Sequence, residues 1–98
     1  METFGERLAY IRKRHNLYQY EVADKLGIHK VTYANYEQDK RQMDYATLVK
    51  FCELFNVSSD FLLGIIHIPH RIDEYSKEEA DFMRRSLDVY REVKRNKY

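Results

Sequence analysis

The sequence predicts an all-α fold, in which five short helices within residues 1–64 are followed by a connector and one long C-terminal helix in residues 65–98. The chain has 98 residues with only three glycines and one proline, which disfavours a turn-rich all-β class. Apolar residues recur at helical spacing between residues that typically begin or end helices. A chain of this length accommodates one small domain with an appendage, and excludes a barrel or a multi-domain enzyme.

Helix boundaries follow from capping residues. Thr3 and Glu6 have the spacing of a reciprocal cap at a helix start, and Asn16 is suited to the left-handed conformation that ends a helix. A second helix is predicted over residues 19–26, where Gly27 stops it. A third is predicted over about 30–38, with two tyrosines facing inward.

Two more helices complete the first domain. Asp44 caps a fourth helix, and Ser58 caps a brief fifth that ends at Gly64. The apolar stripe of the fourth helix includes Cys52, which is therefore expected to be a small core residue rather than a nucleophile.

The chain changes character after residue 64. Residues 65–73 are rich in β-branched isoleucine and contain Pro69, which predicts an extended connector. Ser76 and Glu79 form another capping pattern, so a long helix is expected from there to about residue 94. Its apolar stripe, the predicted dimerisation surface, consists of Ala80, Met83, Leu87 and Tyr90.

The charge balance does not decide the class of partner. There are 17 Lys and Arg residues against 16 Asp and Glu, but six basic and two acidic residues lie in the stretch 84–98. Attraction to phosphate depends on which face carries the charge. A lone cysteine, the absence of a secretory signal and the lack of a long apolar stretch lead us to expect a cytoplasmic protein without a membrane partner.

The segment 19–37 contains the features of two short helices that meet at a wide angle. Such a unit needs a small residue where the helices touch, a turn residue that tolerates positive φ, and apolar anchors on the second helix. Ala23, Gly27, Ile28, Tyr33 and Tyr36 supply these in order. The outer face of the second helix is then small and polar, compatible with a DNA major groove, and presents Lys30, Val31, Ala34 and Asn35.

On these residues, segment 4–64 resembles the lambda-repressor-like (Cro-type, XRE) helix-turn-helix family of bacterial and phage transcription regulators. Further matching features are KLG at 25–27, TYANYE at 32–37, DKR at 39–41 and TLVKFCELFNVSSDFLLG at 47–64.

The resemblance implies roles for individual residues. The implied base contacts are Lys30, Val31, Ala34 and Asn35. The implied phosphate contacts are Gln19, Thr32, Lys40 and Arg41. Arg12 and Glu37 match a charge pair that ties the first helix to the end of the third. By hydrogen-bonding chemistry, Lys30 suits guanine and Asn35 suits adenine.

The chain departs from the family pattern at several positions. Tyr18 and His29 stand where capping Ser or Thr is usual, which predicts two lost caps at about 1 kcal/mol each. Tyr33 replaces an aliphatic residue, and we expect its hydroxyl to be able to turn to the surface and touch phosphate or base. Asp39 replaces a common Gly and Met43 a common Pro.

Other chemically interesting residues have simpler interpretations. His67 and His70 lack the partners of a metal site, so no metal or other cofactor is expected. Tyr10, Tyr36 and Tyr45 are expected at core or half-buried positions rather than on a stacking platform for single strands. The sequence contains no phosphate loop, nucleophile elbow or metal signature, so we do not expect an enzyme or a small-molecule ligand.

The predicted function is a sequence-specific DNA-binding transcriptional regulator, a repressor of phage or mobile-element type that binds an inverted-repeat operator as a homodimer. A protein antagonist is a possible further partner. The C-terminal stripe has two interpretations, since it could pack on the first and fifth helices or meet a second copy. The alternative function is an antitoxin or anti-repressor-type interaction module acting through the C-terminal helix.

Overall fold

The computed structural model describes residues 2–69 and 75–96. These residues form helices without a β-strand, which confirms the predicted all-α class. The helices are α1 (Phe4–Arg14), α2 (Gln19–Leu26), α3 (Lys30–Glu37), α4 (Tyr45–Phe55), α5 (Ser59–Leu62) and α6 (Lys77–Asn96).

The helix ends follow the predicted capping residues. The side chains of Thr3, Asp44 and Ser58 each accept a hydrogen bond from a backbone N–H in the first turn of α1, α4 and α5. After α1 and α2, Asn16 and Gly27 adopt positive φ of 56° and 70°. These ends depend on contacts within a few residues, which is why the sequence predicts them well.

The prediction of two lost caps is wrong for α3 and holds only in part for α2. The His29 Nδ1 accepts the Val31 N–H at 3.3 Å and so replaces the usual hydroxyl. At α2 the Tyr18 N–H donates to the Glu21 carboxylate at 2.9 Å, which supplies the reverse half of a capping box.

Helices α1–α5 enclose one hydrophobic core, in which Leu8, Val22, Phe51 and Leu62 are among the most deeply buried side chains. Cys52 is buried on the inner stripe of α4, as predicted.

Helix α1 approaches the end of α3 closely at Gly5. A Cβ at this position would lie 2.7 Å from the Tyr36 carbonyl oxygen and even closer to that of Glu37. Only glycine therefore allows α1 and α3 to meet this closely.

Two tyrosine predictions are wrong. Tyr33 is fully buried, because it lies on the face of α3 that packs against α1 and α2, so its hydroxyl does not reach the surface. Tyr45, which the sequence predicts in the core or half buried, is 83% exposed. It is the first residue of α4, one turn before the inner stripe begins at Leu48.

The described part of the connector turns back toward α5. The Ser58 N–H donates to the Pro69 carbonyl at 2.9 Å. The rest of the predicted connector, residues 70–73 with His70, lies outside the described residues.

Helix α6 begins with the predicted capping box, in which Ser76 and Glu79 exchange two hydrogen bonds of 3.0 Å. None of its residues is buried. Ala80 and Met83 are partly exposed, while Leu87 and Tyr90 are exposed. This exposure disfavours the interpretation in which the stripe packs on α1 and α5.

The described residues lack two kinds of feature. None of their helices carries an apolar stretch of the length that a membrane crossing requires. In the same residues, no three His, Cys, Asp or Glu side chains lie together in an arrangement that could hold a metal ion.

Candidate nucleic-acid interface

The turn between α2 and α3 is formed by the residues that the sequence singled out. Gly27 adopts φ 70°, and the following Ile28 N–H donates to the Ala23 carbonyl at 3.0 Å. Lys50 in α4 donates to the Leu26 carbonyl at 3.0 Å and so caps the end of α2. These bonds fix the turn after α2 and tie the end of α2 to α4.

Helix α3 has one buried and one accessible face. Tyr33 and Tyr36 are buried on the inner side. On the outer side Lys30 and Val31 are exposed, while Ala34 and Asn35 are half buried. Thr32, a predicted phosphate contact, is also half buried and is not among the residues that line the groove described next. Lys30, Val31, Ala34 and Asn35 line one shallow surface groove together with Gln19. The structure thus brings the predicted base contacts together.

One carboxylate connects three helices behind this groove. The Arg12 Nε and Nη2 donate to the two carboxylate oxygens of Glu37 at 2.7 and 3.1 Å, and the Gln19 Nε2 donates to the same group at 3.0 Å. Arg12 also donates to the Leu17 carbonyl at 2.9 Å. Gln19, predicted to contact phosphate and to support α3, is held in place by this network.

The network keeps both of its charges. Burial raises the pKa of Glu37, but the polar side chains around the carboxylate, first Arg12 and then Tyr33 and Gln19, outweigh burial and hold that pKa below its ordinary value. The hydrogen bond to Glu37 likewise raises the pKa of Arg12, against the opposing effect of burial.

The loop after α3 carries the other predicted phosphate contacts. Asp39 adopts φ 58°, and its carboxylate accepts the Gly5 N–H at 2.9 Å. The next N–H, of Lys40, closes the helix end by donating to the Asn35 carbonyl at 2.9 Å. Asp39 thus performs the turn for which the family commonly uses Gly and also ties the loop to α1. Lys40 and Arg41 are exposed directly after it.

Three further residues line the same groove although the sequence predicts no role for them in the site, and they are Tyr18, Tyr20 and Gln38. Tyr18 and Tyr20 flank Gln19, and their rings stack with centroids 5.7 Å apart and planes within 10°. The signal was present in the pattern Tyr-Gln-Tyr at the start of a helix. The sequence indicates Tyr18 only as a missing cap, because the stacking of its ring on Tyr20 depends on side-chain conformation.

Comparisons with known proteins agree with this geometry. A family model described as helix-turn-helix matches residues 8–62. The HTH-type transcriptional regulator ImmR of Bacillus subtilis is 38% identical over 87 residues, which cover 88% of this chain and 63% of that protein. The SPbeta prophage-derived uncharacterized HTH-type transcriptional regulator YonR of the same organism is 41% identical over 71 residues, covering 72% of this chain and 66% of that protein.

Two solved structures share the fold. The P22 c2 repressor in complex with a synthetic operator has a TM-score of 0.61 at 22% identity, covering 64% of this chain and 96% of that chain. A transcriptional regulator from Listeria innocua has the same TM-score and identity, covering 93% and 94%. The chain spans between 51% and 66% of the length of the curated relatives that it matches. With its turn at Gly27 and its family match over residues 8–62, the chain belongs to the lambda-repressor-like (XRE) helix-turn-helix family.

Proposed function

We propose that this chain binds double-stranded DNA sequence-specifically and regulates transcription. The observation that carries the proposal is the two-sided character of α3: its inner tyrosines are buried, while its outer face lines an open groove. A helix presented in this way fits the major groove of a duplex, where each base pair has a distinct pattern of donors and acceptors.

The proposed contacts fall into two groups, those that recognise bases and those that bind phosphate and position the domain. The Lys30 ammonium donates to guanine O6 or N7, and Asn35 pairs with adenine N6 and N7. Val31 and Ala34 contact a thymine methyl or exclude a base by their bulk. The positioning groups bind phosphate without reading sequence, and they are Gln19, Thr32, Lys40 and Arg41.

The regulatory type is inferred from the relatives. ImmR and YonR are named as transcriptional regulators, and YonR as prophage-derived. The P22 protein with the same fold is a repressor seen with an operator. We therefore propose a repressor of phage or mobile-element type, which occludes a promoter and carries out no catalytic step.

The proposal includes a homodimer formed through α6. This helix has 20 residues and none is buried, although it carries an apolar stripe. An isolated helix is marginal in water, so a partner for the stripe would stabilise it. A second copy would place two α3 helices on the two halves of an inverted repeat.

The exposed stripe also supports the second candidate, an antitoxin or anti-repressor-type module that acts through α6. In that case substitutions on the outer face of α3 would leave activity unchanged. Substitution of Leu87 by Glu would abolish the interaction that α6 makes with a protein partner and would leave DNA binding unchanged.

The decisive experiment begins with selection of binding sites from random duplexes by the whole chain. The double variant Lys30→Ala/Asn35→Ala should lose the preference for the selected site and keep weak, non-specific binding. Lys77→Ala is the matched control, since Lys77 is an exposed cation in the first turn of α6. A double variant with unchanged preference would contradict the assignment of α3 as the reader.

Salt dependence provides an independent measurement. The logarithm of affinity should fall with the logarithm of salt concentration with a slope of several units, and Lys40→Ala should reduce that slope by about 1. A flat response of the unsubstituted chain would count against DNA binding. Solution mass, measured with and without Leu87→Glu, tests the dimer: the unsubstituted chain should have twice the mass of the variant.

A further inference from the structure

The start of α2 carries a pair of exposed aromatic rings. Tyr18 is 68% and Tyr20 55% exposed, and the two rings stack on each other. Adjacent exposed aromatic side chains often mark an interaction surface. These two line the groove that also contains Lys30, Val31 and Asn35, so they lie beside the proposed base contacts.

Two polar groups at this helix end already make hydrogen bonds within the protein. The Tyr18 N–H donates to the Glu21 carboxylate at 2.9 Å, and the Gln19 Nε2 donates to Glu37 at 3.0 Å. The Glu21 charge also lowers the affinity of the helix end itself for phosphate. Phenol hydroxyls lie far from their own backbone and are neutral donors, so Tyr18 and Tyr20 can reach a phosphate beyond this carboxylate.

We propose that Tyr18 and Tyr20 form a neutral phosphate clamp on the bound duplex. Their hydroxyls donate hydrogen bonds to phosphate oxygens of one strand, while the ring faces cover the adjoining sugars. Stacking restricts both rings before DNA arrives, which reduces the conformational entropy lost on binding. The clamp rests on the proposed function, since it adds a positioning contact to the same surface.

A neutral clamp has a signature that a cationic contact lacks. Phosphate contacts carry no sequence information, so loss of the hydroxyls should weaken binding to selected and unrelated duplexes by the same factor. A phenol releases no counterion from DNA, so the salt slope should not change.

The test compares Tyr18→Phe, Tyr20→Phe and the double variant with the unsubstituted chain on a duplex that the latter selects. Each single variant should bind about five-fold more weakly and the double variant about 10- to 30-fold more weakly, at an unchanged salt slope. Tyr10→Phe is the matched control. It removes one hydroxyl from the same domain, beside Arg14 and Phe61 and outside the groove.

Three outcomes would overturn the clamp while the proposed function stands. These are unchanged affinity of the double variant, a salt slope reduced by about one unit, and weakening confined to the selected sequence. Tighter binding to single strands than to duplex would instead identify the rings as a base-stacking platform and also overturn it. Failure of the unsubstituted chain to bind any duplex would contradict the proposed function itself.

Discussion

Arg12 in α1 and Glu37 at the end of α3 form a two-pronged ion pair, with N···O distances of 2.7 and 3.1 Å. Their side chains are 13% and 5% exposed. Because Gln19 in α2 donates to the same carboxylate, three helices converge on one charged group directly behind the proposed DNA face. The orientation of α3 therefore depends on this pair.

Replacement of Arg12 by Met should lower the free energy of unfolding by about 3 kcal/mol, because it leaves the Glu37 charge buried without its cation. Urea denaturation monitored by circular dichroism measures this directly. Arg84→Met is the matched control, since Arg84 pairs with Asp81 on exposed α6 at 3.1 Å. The Arg84→Met substitution should change the free energy of unfolding by no more than about 0.5 kcal/mol. Equal effects of the two substitutions would contradict the role given to the inner pair.

The free energy of unfolding should also depend on pH through the protonation of Glu37. Its pKa in the folded chain lies below the ordinary value of 4.5, despite burial, because Arg12 and Gln19 donate to it. The unfolded state then binds the proton more readily. The stabilisation is complete above about pH 4.5 and is lost as pH falls through the lowered folded pKa.

Unfolding free energies measured from pH 7 to pH 3 should therefore fall less steeply below pH 4.5 for Glu37→Gln than for the unsubstituted chain. The difference between the two curves isolates Glu37 from other carboxylates with lowered pKa, such as Asp44 beside Thr47. Parallel curves would show that Glu37 does not contribute to acid unfolding.

The Tyr33 hydroxyl is buried close to the Arg12–Glu37 pair, but it makes no hydrogen bond of good geometry with any of the described residues. Tyr33→Phe should therefore raise the free energy of unfolding by about 1 kcal/mol, since it removes an unsatisfied polar group. Burial raises the pKa of Tyr33 above its ordinary value of 10.0. The unsubstituted chain should accordingly lose stability as pH rises above about 10, and the variant should lose less.

Denaturant titrations at pH 7 and pH 10.5 measure both effects. Tyr10→Phe is a suitable comparison, because the Tyr10 hydroxyl accepts from Arg14 at 3.0 Å and its loss should destabilise slightly. A clear destabilisation by Tyr33→Phe would mean that the buried hydroxyl has a favourable partner.

Gly5→Ala should destabilise the domain by about 2 kcal/mol, although alanine is the better helix former. The new Cβ would overlap the backbone carbonyls of Tyr36 and Glu37, so α1 and α3 would have to move apart. Gly27→Ala provides the comparison. Its Cβ would meet only the Lys50 Nζ, at 3.5 Å, so the cost of about 1 kcal/mol comes from positive φ alone. Thermal unfolding of both variants should therefore give the lower melting temperature for Gly5→Ala.

Helix boundaries and the helix-turn-helix unit were accessible from the sequence because their causes are local. A cap such as Asp44 and a left-handed residue such as Asn16 act within a few residues of the position they define. The spacing of Ala23, Gly27 and Tyr33 likewise reports which face of each helix is inward.

Side-chain conformation and contacts between distant segments were not accessible in this way. The inward hydroxyl of Tyr33, the Asp39 bond to Gly5 and the stack of Tyr18 on Tyr20 each depend on where a neighbouring group lies after packing. Sequence patterns specify the direction in which a residue leaves its helix. The partner that it meets is set by the packing of the helices together, which is a property of the folded chain.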